Sequence, residues 1–368
     1  MSLSEIIIQK IQKNGPISFR DFMEIALYYP GLGYYTSEGD KIGKRGDYYT
    51  SPDITPVFGE MIGRQLEEMR QILGEKRFTV VEMGAGTGLL SQDILTYLKR
   101  NKELYDNLDY CIIEKSPAMR KEQSKLLGEE EKISWYDSIK ELCGMTGCVF
   151  SNELVDAFPV HQVVMKEELM EVFIDYSSKE GFFEVLRSAS GKLEDYLADL
   201  GVVLPPEYRT EINLDAIEWI QDIGSCLKRG FVITIDYGYP SSELYQDYRN
   251  RGTLMCYYKH IATDNPYERI GEQDITSHVN FSALAMWGRK KGLEPCGFTD
   301  QAHFLLGLGI EDYLRRLQER DYTKYLKKML QIKTLMMEMG ETFKVLIQKK
   351  GVKCTELSGL RFPCRWKI

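Results

Sequence analysis

The sequence predicts an α/β fold with a Rossmann-like sheet of seven strands, an N-terminal helical cover and a small β-rich insertion. The first observation is a strand–turn–helix unit, in which an apolar strand at 78–81 and a glycine turn at 82–88 (EMGAGTG) precede a helical pattern at 89–95. The second is that apolar segments alternate with amphipathic helical segments up to residue 348. The third is length, because 368 residues suffice for one large α/β domain with additions or for two domains.

Each strand of the sheet is justified by a short apolar run, and each helix by a spacing of about 3.6 residues between apolar positions. The predicted strands lie at residues 78–81, 109–114, 133–137, 148–151, 230–238, 293–299 and 343–348. The predicted helices of this region lie at residues 89–95, 214–228, 281–291, 301–318 and 321–338.

Two further regions lie outside the sheet. Helices at 18–27 and 56–73, joined by a loop dense in tyrosine, glycine and proline at 28–53, predict an N-terminal helical cover. Alternating apolar and polar residues after Pro159 predict a small β-rich insertion, with antiparallel strands at 160–164, 170–175 and 182–186. The predicted organisation is a cap with the aromatic loop (1–75), the sheet core (76–157 and 211–350), an insertion between strands four and five (158–210) and a C-terminal tail (351–368).

Composition and charge exclude several classes of function. The hydrophobic content of 43% and charged content of 28% are ordinary for a globular protein. A net charge of −8 without a basic run disfavours nucleic acid as a partner, and no segment is long enough to span a membrane. Eight cysteines without a Cys-x-x-Cys pair and four dispersed histidines predict no metal site. With no signal peptide and no arginine before Arg20, we expect a bacterial-type cytoplasm and reduced cysteines.

The glycine turn indicates which cofactor the sheet binds. A pyrophosphate-binding turn has the pattern Gly-x-Gly-x-x-Gly, whereas here the third glycine, Gly88, comes one residue early. Glu82 precedes the first glycine by two residues and suits a ligand with an ammonium group. S-adenosylmethionine is such a ligand, and Gly84, Gly86 and Gly88 would let the backbone approach it closely. The alternative is a turn that only connects strand to helix.

Further cofactor contacts are expected at the ends of the next two strands. Glu114 ends the second strand, about one βαβ unit after the glycines, where a carboxylate accepts hydrogen bonds from both ribose hydroxyls. Asp137 or Trp135 at the third strand would flank the adenine. Glu114 as an ordinary surface acid is the alternative. In the aromatic loop, Tyr49 and Thr50 are expected to contact the cofactor.

The loop after the fourth strand, residues 151–159 (SNELVDAFP), carries the candidate catalytic side chains Asn152, Glu153 and Asp156. The Glu-x-x-Asp spacing places both carboxylates on one side of a helical turn, which suits a cationic nucleophile such as a guanidinium. The alternative is that these residues only turn the chain before Pro159. His278 is a candidate general base, with capping of the helix that follows as the alternative.

Several of these motifs together resemble the MidA family, known in mitochondria as a complex I assembly factor and a branch of the class I S-adenosylmethionine-dependent methyltransferases. The matching segments are residues 46–59, 82–88, 151–159, 235–238, 251–254 and 274–279. The resemblance implies a seven-stranded class I methyltransferase core with an N-terminal helical cover. Asn280 departs from the family pattern, which has an acid there, and this weakens a role as base at that position.

The resemblance also implies an activity, because the mitochondrial relative forms symmetric dimethylarginine on a respiratory complex I subunit. We therefore expect an S-adenosylmethionine-dependent methyltransferase that acts on a protein arginine, with a protein partner such as a respiratory complex subunit. The alternatives are methylation of a small molecule and an assembly chaperone that binds its partner through the aromatic loop. A nicotinamide-dependent oxidoreductase is disfavoured by the early third glycine. The oligomeric state is not predicted.

Overall fold

The computed structural model describes residues 1–37, 39, 41, 43, 46, 47, 49–353, 356–362 and 364–368. Its helices are α1 Leu3–Asn14, α2 Phe19–Tyr28, α3 Ser51–Ile54, α4 Val57–Leu73, α5 Leu89–Leu98, α6 Lys102–Asp106, α7 Pro117–Leu127, α8 Gly191–Asp199, α9 Leu214–Cys226, α10 Ser241–Leu244, α11 Phe281–Arg289, α12 Gln301–Gly307, α13 Ile310–Arg320 and α14 Tyr322–Lys333. Its strands are β1 Ile17–Ser18, β2 Phe78–Met83, β3 Leu108–Ile113, β4 Ile133–Tyr136, β5 Met145–Asn152, β6 His161–Met165, β7 Leu169–Ser177, β8 Gly181–Ser188, β9 Arg209–Ile212, β10 Leu227–Tyr239, β11 Met255–Tyr258, β12 Ile261–Thr263, β13 Asp274–Thr276, β14 Val279–Asn280, β15 Glu294–Asp300 and β16 Phe343–Lys350.

The chain divides into two compact units. The first contains Met1–Tyr48, Val155–Glu218 and Gly238–Leu284, and the second contains Tyr49–Leu154, Trp219–Tyr237 and Ala285–Ile368. The predicted domain boundaries stay a prediction.

The second unit is built on a sheet with the strand order β15-β16-β10-β5-β2-β3-β4. Neighbouring strands from β10 to β4 are parallel, whereas β16 is antiparallel to both β10 and β15. Five of the six residues of β2 are buried, as expected for a parallel strand covered on both faces. The prediction of an α/β fold with a Rossmann-like seven-stranded sheet is confirmed, and the central sheet is mostly parallel.

Close helix packing supports the glycine turn in this unit. A Cβ at Gly59 of α4 would lie 2.4 Å from the Cβ of Asp93 in α5, and one at Gly63 would lie 2.6 Å from Cδ1 of Tyr97. The two small residues, one helical turn apart, let α4 approach α5 closely. Apolar side chains of both helices join those of β2, β3, β5 and β10 in one buried cluster. The helix that follows the glycines is therefore held firmly.

The first unit contains helices α1 and α2 and the predicted insertion, whereas α4, the second helix of the predicted cover, belongs to the second unit. Strands β6, β7 and β8 correspond to the three predicted insertion strands, and β9 and the short β1 complete a five-stranded sheet. A second sheet of strands β11 to β13, which the sequence did not suggest, lies in residues 255–276. The last two residues of β10 pair with β14 in this unit.

Two features of the structure differ from the sequence-based expectations. The predicted helix at 301–318 is divided into α12 and α13, because Gly309 adopts φ of 82° between them. A disulfide joins Cys143 and Cys226, so the expectation that all cysteines are reduced is wrong for this pair. Within the described ranges, no helix has the length and apolar character needed to cross a membrane.

Candidate active site

The turn between β2 and α5 requires glycine at three positions. Gly84, Gly86 and Gly88 have φ angles of 70°, 53° and 88°, in the left-handed region that other residues adopt at a cost. A Cβ at Gly84 would lie 2.6 Å from Cδ1 of Leu154, and one at Gly88 would lie 2.9 Å from Cδ1 of Leu127. The turn is therefore a cradle in which the backbone lies close to its neighbours and no side chain intervenes.

Glu82 lies buried beneath this turn, with a side chain that is 2% exposed. Its Oε2 accepts hydrogen bonds from the hydroxyl of Tyr110 (2.6 Å) and from the hydroxyl of Ser91. Burial raises the pKa of Glu82 to about 7, and the two hydroxyl donors act in the opposite direction. These bonds connect β2, β3 and α5. Contact of Glu82 with a cofactor ammonium stays a prediction.

Glu114 directly follows β3, and both of its carboxylate oxygens are held. The main-chain N–H of Ser116 donates to Oε1 (2.9 Å), and Nε2 of Gln123 donates to Oε2 (3.1 Å). Burial raises the pKa of Glu114, whereas these two donors lower it. The carboxylate thus has a defined orientation at the carboxyl end of the sheet, where the ribose is expected.

The two residues predicted beside the adenine differ in environment. Trp135 is half-buried, and its indole N–H donates to Oε1 of Gln123 (3.0 Å). Asp137 has a side chain that is 82% exposed and forms an ion pair with Arg120 (2.7 Å). A pair this exposed contributes little to stability. Their adenine contacts stay predictions.

The loop after β5 orients the carboxylate of Glu153. This half-buried residue has φ of 52°, which is uncommon for a residue other than glycine and occurs where the surroundings impose it. Its main-chain N–H donates to the carbonyl of Ile235 (2.9 Å). Its Oε1 accepts from the main-chain N–H of Ser51 (3.0 Å) and from Nδ2 of Asn152 (3.0 Å). The acid is therefore oriented by its own loop and by a segment far away in the chain.

The loop after β5 contacts both the glycine turn and β10 of the second unit. Leu154 lies against Gly84 of the glycine turn, and its main-chain N–H donates to Oδ2 of Asp236, which lies within β10 near its carboxyl end (3.2 Å). Asp236 is fully buried and also accepts from the main-chain N–H of Tyr237 (2.9 Å). The glycine turn and the Glu153 loop are thus in direct contact.

The described part of the aromatic loop leads into α3. Thr50 donates from its hydroxyl to Oδ2 of Asp53 (2.7 Å), and the hydroxyl of Ser51 donates to Oε1 of Gln301 (3.2 Å). Tyr49 is 45% exposed. These bonds fix the segment that donates to Glu153. Tyr48, in the motif used for the family resemblance, lies outside the described residues.

Asp156 and His278 belong to the first unit. Asp156 is buried, and its carbonyl accepts from the main-chain N–H of Ser277 (2.9 Å). In the same unit, burial and the charge of Asp156 raise the pKa of Asp274 to about 8. The main-chain N–H of His278 donates to Oγ1 of Thr253 (3.0 Å).

Nearby, Oδ1 of Asn280 accepts from the main-chain N–H of Ala283 (3.1 Å), so Asn280 caps α11. Capping of the helix that follows, the alternative considered for His278, is thus performed by Asn280. The catalytic roles of Asp156 and His278 stay predictions.

Comparison with known proteins identifies the family. A sequence model of the family described as "Putative S-adenosyl-L-methionine-dependent methyltransferase" matches residues 61–299. The chain belongs to this family. It is also similar to a Burkholderia thailandensis protein whose crystal structure is bound to S-adenosyl-homocysteine, with 33% identity, coverage of 98% of this chain and 95% of that one, and a TM-score of 0.90.

Curated relatives are similar over most of the chain. The Drosophila melanogaster protein arginine methyltransferase NDUFAF7 homolog is 26% identical and aligns with 97% of this chain and 86% of its own. Human protein arginine methyltransferase NDUFAF7 is 25% identical and aligns with 92% of this chain and 81% of its own. The predicted family, enzyme class and cofactor are confirmed, and this methyltransferase uses S-adenosylmethionine. The predicted bacterial-type cytoplasmic location is wrong, because these relatives are described as mitochondrial.

The residues present fit the cofactor. The glycine cradle leaves no side chain at Gly84 or Gly88, and the oriented carboxylate of Glu114 suits a pair of ribose hydroxyls. The role of Gln123 is not visible in the sequence, because a glutamine in an amphipathic helix resembles a surface residue. The role of Tyr110 is not visible either, because its place in an apolar strand gives no sign of a buried carboxyl partner.

Proposed function

We propose that this methyltransferase transfers methyl groups to arginine side chains of a protein and forms symmetric dimethylarginine. The observation that carries the proposal is the carboxylate of Glu153, oriented through Oε1 on a loop that contacts the glycine turn. A fixed anion suits a planar guanidinium, which donates several N–H groups in a fork. The arginine methyltransferase names of the curated relatives support the same substrate class.

The cofactor supplies an electrophilic methyl group when it is bound. Glu153 accepts N–H hydrogen bonds from the guanidinium and holds the attacking nitrogen in line with that methyl group. Its negative charge stabilises the cation while the new bond forms, because the carboxylate is oriented before the reaction starts. Asn152 keeps Glu153 in place through its amide. We assign Asp156 as a second carboxylate for the substrate and His278 as a base that accepts the released proton.

The proposed acceptor is a protein of a respiratory complex. Glu153 is half-buried, and this position favours a long side chain such as arginine, which reaches such a site from the surface of a protein.

We also propose that Glu82, Asp137, Tyr49 and Thr50 contribute to cofactor binding, in addition to Glu114 and the glycines.

Transfer of radiolabelled methyl groups from S-adenosylmethionine into a lysate of gene-deleted source cells tests the proposal. We expect the wild-type chain to label a protein band whose hydrolysis yields symmetric dimethylarginine. The Glu153→Gln variant should lower the labelling rate about 100-fold or more, because the fixed anion is lost. Its affinity for S-adenosylhomocysteine, measured by calorimetric titration, should stay within about threefold of wild type.

Glu207→Gln is a matched control, because Glu207 also has a positive φ (64°) but is exposed. This variant should label protein at the wild-type rate. Label only in small molecules would assign the enzyme to metabolite methylation. Cofactor binding without any labelling would favour the chaperone alternative. Loss of cofactor affinity in Glu153→Gln would contradict the substrate role of Glu153.

A further inference from the structure

One fully buried amide, that of Gln123 on α7, connects the ends of three neighbouring strands. Its Nε2 donates to the carbonyl of Gly86 in the turn after β2 (2.9 Å) and to Oε2 of Glu114 after β3 (3.1 Å). Its Oε1 accepts from the indole N–H of Trp135 in β4 (3.0 Å). Glycine turn, ribose carboxylate and aromatic side chain therefore share one partner.

The polarity of these three bonds leaves one orientation for the amide. If the amide were rotated by half a turn, its NH2 group would face the indole N–H of Trp135. Its oxygen would then face two acceptors, the carbonyl of Gly86 and the carboxylate of Glu114. A glutamine supplies two donors and an acceptor on one rigid plane, and all three are used here.

The bond to Glu114 has a consequence for ligand binding. Ser116 holds one carboxylate oxygen and Gln123 holds the other, so rotation about the last side-chain torsion of Glu114 is restricted. A carboxylate that accepts from two neighbouring ribose hydroxyls needs a defined plane. Ordering that plane before the ligand arrives removes an entropic cost from binding.

We propose that Gln123 is a positioning residue for the cofactor, which orients the Glu114 carboxylate relative to the glycine turn for a ligand with a ribose diol. The inference rests on the ribose role assigned to Glu114 in the proposed site. Gln123 acts through Glu114 and through the carbonyl of Gly86, so its loss weakens binding of the adenosine part.

Two substitutions test the proposal with S-adenosylhomocysteine as the probe and calorimetric titration as the measurement. Gln123→Leu removes all three bonds and should weaken affinity about tenfold or more, because a hydrogen bond to a charged group is lost. Gln123→Glu keeps the shape but places a second carboxyl beside Glu114. It should weaken affinity most at about pH 8, and the loss should be smaller toward about pH 6, where a protonated carboxyl donates to Glu114 again but has no second donor for the carbonyl of Gly86.

Gln65→Leu is the matched control, because Gln65 is also fully buried in the second unit, where it bonds to Glu68 and Gly359. It should bind the probe like wild type, even if its melting temperature falls. If Gln123→Leu does not fold, the isosteric Gln123→Glu variant supplies the test. Wild-type affinity in both Gln123 variants, or a ratio that does not change with pH, would overturn the proposal.

A Glu114→Gln variant separates failure of this inference from failure of the proposed site. If it binds the probe like wild type, the ribose role of Glu114 fails, and an effect of Gln123 could not pass through that residue. If it binds weakly while both Gln123 variants bind normally, only the Gln123 inference fails. In the double variant Glu114→Gln with Gln123→Leu, the second change should add less than about threefold, because coupled residues are not additive.

Discussion

The free energy of unfolding should fall as the pH rises because the buried Glu82 ionises, and replacing Glu82 with glutamine should remove this fall. Burial raises the pKa of Glu82 from 4.5 to about 7, although the Tyr110 and Ser91 hydroxyls donate to it. The pKa of Glu82 is higher in the folded than in the unfolded protein. Its stabilising contribution to the free energy of unfolding is therefore fully present below about pH 4.5 and is lost as the pH rises through about 7. The difference of about 2.5 between the two pKa values corresponds to about 3.5 kcal/mol, at about 1.4 kcal/mol per pH unit.

Urea unfolding followed by tryptophan fluorescence measures this effect. We expect wild type to lose about 2 to 3 kcal/mol relative to Glu82→Gln between about pH 5 and about pH 8. Other titrating groups cancel in the difference between the two proteins, so the remaining slope belongs to Glu82. A difference that stays constant over this range would refute the reasoning, since it would mean that burial does not perturb the pKa of Glu82.

Tyr110→Phe is the companion variant, because it removes one of the hydroxyls that lower the pKa of Glu82. The pKa of Glu82 in the folded protein should then rise above about 7, so that the free energy of unfolding continues to fall up to a higher pH than in wild type. If the free energy of unfolding stops falling at the same pH as in wild type, Tyr110 does not act on the carboxyl.

Two further predictions concern glycines of the second unit. Gly84→Ala should weaken binding of S-adenosylhomocysteine about tenfold or more, because a Cβ would lie 2.6 Å from Leu154. Gly74 also has a positive φ (65°), but a Cβ there would meet open space, so Gly74→Ala should bind the ligand normally in the same titration. Equal affinities of the two variants would contradict a cradle. Gly59→Ala should lower the free energy of unfolding by about 2 kcal/mol, because its Cβ would lie 2.4 Å from that of Asp93; an unchanged urea midpoint would argue against this packing.

Local patterns in the sequence predicted much of the sheet and part of the candidate site. Strand β2, the glycine turn and α5 are consecutive, so their apolar periodicity and their glycines are visible in one short segment. The same holds for Glu114 and Glu153, which directly follow strands and therefore lie at the carboxyl edge. In contrast, nothing local indicates that residues 17–18 form a strand beside β7, because strand pairing at that distance depends on the folded chain.

The sequence by itself determined the seven-stranded sheet, the glycine turn, the cofactor class and the position of the candidate acids along the chain. Only the tertiary structure decided how those acids are held. Ser51 donates to Glu153 across 102 positions of the chain, and Tyr110 and Gln123 each meet partners on other elements. The physical reason is that hydrophobic periodicity is a property of consecutive residues, whereas the partner of a buried polar group is chosen by the packing of distant helices and strands.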